Sequence, residues 1–338
     1  MSDESGTPTD VIGRLNIPWV ESPFFDTLLE QSPLDEQTKA LVRQYSEDGY
    51  LLIDPQLDNF DVLAGRIIGD VAEGMKDDSR EFGAVGRVMD AWKFSENVKT
   101  LAVAPYVMSL LETLYRRRPV PFQTLNFAVG TEQRTHSDTI HFHSAPARFM
   151  CGVWVALEDI DENCGPLHYY PGSHKLPLFD LHDIGVSVDP YESGNKYPFY
   201  EEFVERLMET KGLQRVEVTP RKGQALIWSA NLFHGGSPIR EPGRTRHSQV
   251  THYYFSGCRY YIPAASDPFL ERIHWKQVVN IATGEMEPHF YDGQLVEESK
   301  PQTVAGLIKG QLLHKLKQYP IGRRMADARR RMFPRPSK

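Results

Sequence analysis

No run of about 18 consecutive apolar residues occurs anywhere in the 338-residue chain, which excludes a transmembrane helix of ordinary length. The opening MSDESGTPTD is acidic and polar and lacks the basic-then-apolar order of a secretory signal. Cysteine is scarce. Cys151, Cys164 and Cys258 are the three present, with no CxxC pair, so a disulfide framework is excluded and a reducing, cytoplasmic setting is expected. Positive charge is also short, at a net of −7. An acidic chain argues against nucleic acid as the main ligand. The deficit is uneven: residues 301–338 hold ten Lys/Arg against one acid, Asp327, so this stretch is +9 and the rest −16. Such a tail would touch an anionic lipid surface or polyanion, or dock on the protein's own acidic body.

What is present reads as helices first and strands later. Residues 1–16 are expected to be a disordered tail. In PLDEQTKALVRQYSEDGYLLID, Asp35 caps a helix, Gly49 stops it, and YLLID follows as a buried strand. DNFDVLAGRIIGDVAEGM is a second amphipathic helix. NVKTLAVAPYVMSLLETLY is a third, with Pro105 expected to bend it. From about residue 121 short segments rich in Val, Ile, Phe, Trp and Tyr take over: FQTLNFAV, RFMCGVWVALE, PLHYYPG, RVEVTP, ALIWSA and SQVTHYYFS. This order predicts an α+β chain with a β-sandwich or jelly-roll core. One domain is expected over 17–299, with its core at about 121–262 and a lid-like insertion at about 179–213. A basic helical tail follows over 300–338, with Val304, Ile308, Leu312 and Leu316 on one stripe.

The chemistry concentrates in THSDTIHFHSAP, residues 135–146. Side chains at i and i+2 of a strand share a face, so His136 and Asp138 can reach one ion. His234, in GQALIWSANLFHGGSPI, supplies a third ligand from a segment end before Gly235-Gly236. Two histidines and a carboxylate make the facial triad of non-haem Fe(II) oxygenases, which leaves three coordination positions open. The rival is a cupin-like pair, His141-x-His143, of an isomerase or binding module, although no acid follows it. On the first reading His141 and His143 are supporting, substrate-facing or plain loop residues. A co-substrate with a distal carboxylate calls for an arginine fork. Arg246 starts the strand RHSQVTHYYF, and Arg244 in the preceding loop is its alternative. Arg148, with Arg134 and Lys175, would favour an anionic substrate.

Assembled in order, these pieces resemble the phytanoyl-CoA dioxygenase family of Fe(II)/2-oxoglutarate-dependent oxygenases, which includes the ectoine hydroxylases. The likeness spans about residues 123–255, with support from YSEDGYLLID. HSD is similar to the family's His-x-Asp, GVWVALEDIDENCGPLHYYPGSHK to its central block, and GQALIWSANLFHGGSPI to the segment carrying the distal histidine. The resemblance implies a double-stranded β-helix (jelly-roll) core, with the N-terminal helices packed on one sheet and a helical C-terminal tail. It implies Fe(II) on His136, Asp138 and His234, with 2-oxoglutarate and O2 as co-substrates. Arg246 would anchor the keto-acid, Asn126 and Gln123 would touch it, and Phe142 would meet substrate. The reaction implied is hydroxylation of an unactivated C–H in a small-molecule, natural-product or lipid-type substrate, releasing succinate and CO2. Asp138 fills the position that a halide takes in halogenating relatives.

Overall fold

A computed structural model describes residues 15–76, 86–187 and 195–296. The expected N-terminal tail, except its last two residues, and the basic C-terminal helix lie outside these. Every element below belongs to one compact unit, Met1–Leu295. The chain begins with α1 (Phe25–Glu30) and α2 (Glu36–Asp48). Asp35 caps α2 by accepting a hydrogen bond from the Thr38 N–H at 2.9 Å. Gly49 ends it at φ +83°, a left-handed conformation, and a Cβ there would stand 2.4 Å from the His174 ring.

Strand β1 (Tyr50–Ile53) follows, then α3 (Phe60–Val71), β2 (Arg87–Met89), α4 (Glu96–Ala102) and α5 (Pro105–Tyr115). Two expectations fail here. β1 is not buried throughout, because it lies at a sheet edge: Leu51 is 0% exposed and Leu52 39%. Pro105 does not bend a helix but starts a new one. Its missing N–H is harmless in the first turn and disruptive anywhere further in.

The core comprises β3 (Pro119–Phe127), β4 (His143–Ala145), β5 (Met150–Ala156), β6 (Leu167–Tyr169), α6 (Tyr197–Lys211), β7 (Val216–Val218), β8 (Ala225–Ser229), β9 (His234–Gly236), β10 (Ser248–Phe255) and β11 (Arg259–Tyr261). Six strands form an antiparallel sheet in the order β1-β8-β5-β10-β3-β2, and three form a smaller one, β7-β6-β9. Every residue of β5, β8 and β10 is buried, because both faces of the large sheet are covered. Alternate residues divide between them. Val153, Val155, Ile227 and Tyr253 pack against Val42, Ile67, Leu111 and Leu114 of the helices. Trp154, Leu226, Trp228 and Val250 pack against Leu167, Tyr169 and Val218 of the small sheet. The strands therefore read as continuous apolar runs rather than alternating ones. Mixed helices and antiparallel sheets enclosing a two-sheet core agree with the expected class.

The insertion is more ordered than its polar sequence implied. It contains α6, whose Tyr200, Val204 and Met208 form a third cluster with Ile140, Leu181 and Phe233. That cluster sits on the segment that carries HSD. Among the described residues, no helix is long and apolar enough to cross a membrane.

Candidate metal centre

His136 and His234 face each other as a reciprocally bonded antiparallel pair. His136 N donates to His234 O, and His234 N to His136 O, both at 2.8 Å. Such pairing sets both side chains on one face. Ser137 keeps extended backbone, and a short 3-10 helix starts at Asp138. The i, i+2 rule thus turns Asp138 to the side of His136. One ligand atom from each of His136, Asp138 and His234 lies within 4.8 Å of the others. Asp138 Oδ1 is 3.9 Å from His136 Nε2 and 4.0 Å from His234 Nε2. An ion about 2.1 Å from each ligand needs neighbouring ligands about 3 Å apart, so small side-chain rotations would complete the shell.

The protonation pattern fits a metal. His136 Nδ1 is 2.9 Å from Arg134 O, and His234 Nδ1 is 3.0 Å from Leu232 O. A carbonyl only accepts, so each ring carries its proton on Nδ1 and turns a bare Nε2 inward. Burial, reinforced by His234, pushes the His136 imidazole down to about 3. Burial alone would raise the Asp138 carboxyl, but the imidazoles of His234, His252 and His136 and the Trp228 N–H hold it below its usual range. Trp228 Nε1 donates to Asp138 Oδ2 at 2.8 Å, and His252 Nε2 lies 3.8 Å from the same oxygen. The indole N–H thereby holds Oδ2 from behind while Oδ1 faces the two histidines. Gly152 makes room for this. A Cβ there would come within 2.2 Å of the Trp228 ring.

Trp228 and His252 were not singled out in the sequence. One signal for His252 was available: it lies an even number of residues after Arg246 on the strand, so both use the same face. Gln123 sits on that face too, but its Oε1 accepts from His252 Nδ1 at 3.0 Å. Expected to touch 2-oxoglutarate, Gln123 braces His252 in the structure. Asn126 is corrected. It pairs with Gln249 in the sheet register and donates to Gln249 Oε1, while Gln249 Nε2 donates to Val98 O of α4. Asn126 therefore points to the helices, away from the centre.

Arg246 is 1% exposed. Its Nη1 donates to Gly165 O at 2.8 Å, its guanidinium lies 5.8 Å from the Trp154 ring, and its Nε has no partner. Among the described residues, no carboxylate comes within 4.0 Å of it. Burial pushes it down to about 10. The nearby Ser248 Oγ and Trp154 Nε1 are likewise buried without partners. An uncompensated buried cation beside two orphaned polar groups suits the far carboxylate of a dicarboxylic acid. Trp154 packs in the core with its indole N–H left without a partner. Arg244 instead ion-pairs with Asp161 and Glu241 at the surface, which corrects it as the alternative anchor.

The other candidates divide. Phe142 lies 4.9 Å from the His252 ring, and His141 lies 6.2 Å from His136 and 4.8 Å from Tyr197 of α6. His143 is turned away. Its Nδ1 meets Tyr261 OH at 2.8 Å across β4 and β11, so the rival pair does not converge on an ion. Arg148 is corrected as a substrate residue, because it ion-pairs with Glu21 and donates to His174 O and Leu176 O. His174 is buried against α2, with Nε2 3.1 Å from Ser46 O. Gly165 and Gly172 take positive φ, as their turns required. Asp180, His182 and Asp183 also group closely.

Comparison with known proteins agrees with this arrangement. A family model described as phytanoyl-CoA dioxygenase (PhyH) matches residues 45–248. The peroxisomal phytanoyl-CoA dioxygenase of Rattus norvegicus is 30% identical over 132 residues, 37% of this chain and 34% of that protein. The phytanoyl-CoA dioxygenase of Arabidopsis thaliana is 28% identical over 172 residues, 48% of this chain and 53% of that protein. The match thus spans between 34% and 53% of these relatives' lengths. Among solved structures, the non-heme alpha ketoglutarate dependent carbocyclase SnoK from nogalamycin biosynthesis superposes with TM-score 0.54 at 17% identity, covering 80% of this chain and 96% of SnoK. EctD from S. alaskensis with 2-oxoglutarate and 5-hydroxyectoine superposes with TM-score 0.52 at 18% identity, covering 74% and 84%. Identities this low speak for the fold alone.

Proposed function

The chain belongs to the phytanoyl-CoA dioxygenase family, its match covering more than half of the 338 residues, and from that premise we propose that it is an Fe(II)/2-oxoglutarate-dependent oxygenase acting on a small molecule. The observation that carries the reading is the meeting of two bare imidazole nitrogens and one carboxylate oxygen beside a buried, uncompensated guanidinium. His136, Asp138 and His234 would hold the iron, and Arg246 the distal carboxylate of 2-oxoglutarate. When bound, iron and 2-oxoglutarate supply an O2-driven oxidation of a substrate C–H bond, with release of succinate and CO2. We take residues 17–299 as one oxygenase domain and hydroxylation as its outcome.

The chain's own residues do three things here. The carbonyls of Arg134 and Leu232 lock the ligand tautomers, so no proton must leave before a metal binds. Trp228 fixes Asp138 so that a single oxygen faces the ion. Helix α6 covers the HSD segment. Tyr200 OH donates to Ser137 Oγ at 3.3 Å, and Arg134 forks onto Glu205 at 2.8 and 2.6 Å. A cover tied down in this way excludes water from the reacting centre.

The test is anaerobic addition of Fe(II) and 2-oxoglutarate. A weak visible metal-to-ligand charge-transfer band should appear in the wild type, shift in Asp138→Ala, and vanish in His136→Ala and His234→Ala. An unchanged band in the two histidine variants would remove them as ligands.

A further inference from the structure

We propose that Lys276 binds an anionic group of the substrate, and that the substrate is a small carboxylate whose apolar body lies against Phe142 and Phe122. This rests on the oxygenase reading of the same centre and names what that centre acts on.

The placement comes from the sheet. β10 and β3 lose register between His252 and Tyr253, with His252 opposite Gln123 and Tyr253 opposite Pro121. Phe122 is the extra residue of this bulge, a device that re-aims side chains near sites. Its ring stacks 4.2 Å from Tyr254, stands 6.1 Å from His252 and meets Phe142 edge-on at 5.3 Å. Phe142 in turn lies 4.9 Å from His252, whose Nε2 is 3.8 Å from Asp138 Oδ2. The two phenylalanines therefore form an aromatic wall that starts at the metal centre. Lys276 stands against both of these rings. Its Nζ is 5.6 Å from the Phe142 ring and 5.8 Å from Phe122. Its backbone N–H, bonded to Tyr260 O at 2.8 Å, ties it to β11.

The ammonium lacks a counter-charge. Among the described residues, no carboxylate lies within 4.0 Å of Nζ. The side chain is half-buried, and burial pushes it below the usual lysine range, with Asp90 acting weakly against that. Two phenyl faces compensate only part of the lost hydration of a cation. Of the cations first considered for this task, Arg134 pairs with Glu205 and Glu201 and Arg148 with Glu21, while Lys175 is exposed near Asp48. Arg246 is assigned to the co-substrate. A single compact ammonium among aromatic rings suits a monoanionic carboxylate with an apolar body. A phosphate would call for several donors or an arginine fork.

The probes are matched acids and amides: benzoate and benzamide, 3-phenylpropanoate and 3-phenylpropanamide, octanoate and octanamide, with phenyl phosphate alongside. Each is titrated anaerobically into the Fe(II)/2-oxoglutarate protein, and binding is read from the perturbation of the visible band. At least one acid should bind at millimolar concentration or better, on the order of tenfold more tightly than its amide. Lys276→Met should abolish that preference and Lys276→Arg should retain it. The assignment is overturned if no acid binds, if amides bind as well as acids, if Lys276→Met keeps the preference, or if phenyl phosphate outcompetes every carboxylate. The band before any probe is added separates the two readings. Its absence in the wild type defeats the oxygenase proposal. An intact band without acid-over-amide preference defeats only the role of Lys276.

Discussion

Replacing Arg246 with Met removes a cation that the empty protein holds at a cost, so its effects on binding and on folding should have opposite signs. On the proposed reading, the guanidinium and the far carboxylate of bound 2-oxoglutarate would form a buried, charge-assisted pair. Truncating one partner of such a pair costs about 2–5 kcal/mol, or ~30- to ~4000-fold in affinity at ~1.4 kcal/mol per tenfold. Without it, Arg246 is 1% exposed, has no carboxylate partner among the described residues and leaves its Nε unbonded. Burial pushes it down to about 10. At ~1.4 kcal/mol for each tenfold change in proton affinity, this costs the folded apoprotein on the order of 3 kcal/mol throughout the neutral pH range. The variant relieves that cost and loses the bond to Gly165 O, worth about 1.5–3 kcal/mol to a charged donor. Apo Arg246→Met should therefore melt at the same temperature as the wild type or a few degrees higher. In saturating 2-oxoglutarate the order should reverse, because ligand at a hundred times its Kd adds ~2.7 kcal/mol to the wild type alone. Calorimetry of the metal-loaded anaerobic protein with and without 2-oxoglutarate measures both effects. An apo variant several degrees less stable, with unchanged 2-oxoglutarate affinity, would make Arg246 a structural residue and refute the reasoning.

Two further outcomes follow from particular bonds. Trp228→Phe keeps the ring but removes the N–H that holds Asp138 Oδ2, so Fe(II) affinity should fall about 10–100-fold with the fold intact; an equal affinity by anaerobic titration would show that the indole only packs. His174 is pushed down to about 4, first by burial, so between its unfolded value near 6.5 and about 4 the unfolded chain binds the extra proton. The stability it contributes is complete above the upper limit and is lost as pH falls towards the lower one. Urea unfolding at pH 7 and pH 5 should show His174→Gln losing about 2 kcal/mol less than the wild type over that interval; parallel losses would mean that the ring titrates alike in both states.

Much of this was legible in one dimension because the relevant rules are local. The Asp35 cap and the Gly49 stop depend on a few neighbouring residues. So does the shared face of His136 and Asp138, and the six strand segments were distinguishable by their β-branched and aromatic content. Where a rule needed a partner, it failed. Asn126 and Gln123 are three residues apart on one strand, and only pairing with β10 decides that one faces the helices and the other His252. Arg244 and Arg246 look equivalent in a string, yet Asp161 and Glu241 claim the first. His143 could be set aside only once Tyr261 was opposite it.

The amino-acid order by itself determined which groups were available: two histidines, an aspartate and an arginine, in strand contexts that orient each relative to its immediate neighbours. Tertiary structure decided which of them meet, because convergence depends on register between strands remote in sequence. It also decided the protonation and charge of each group, because these are set by the surroundings rather than by the residue. Trp228 and Lys276 had no mark in the sequence for that reason: an indole N–H and an ammonium gain their roles from the carboxylate, the rings and the missing counter-ion that the fold places around them.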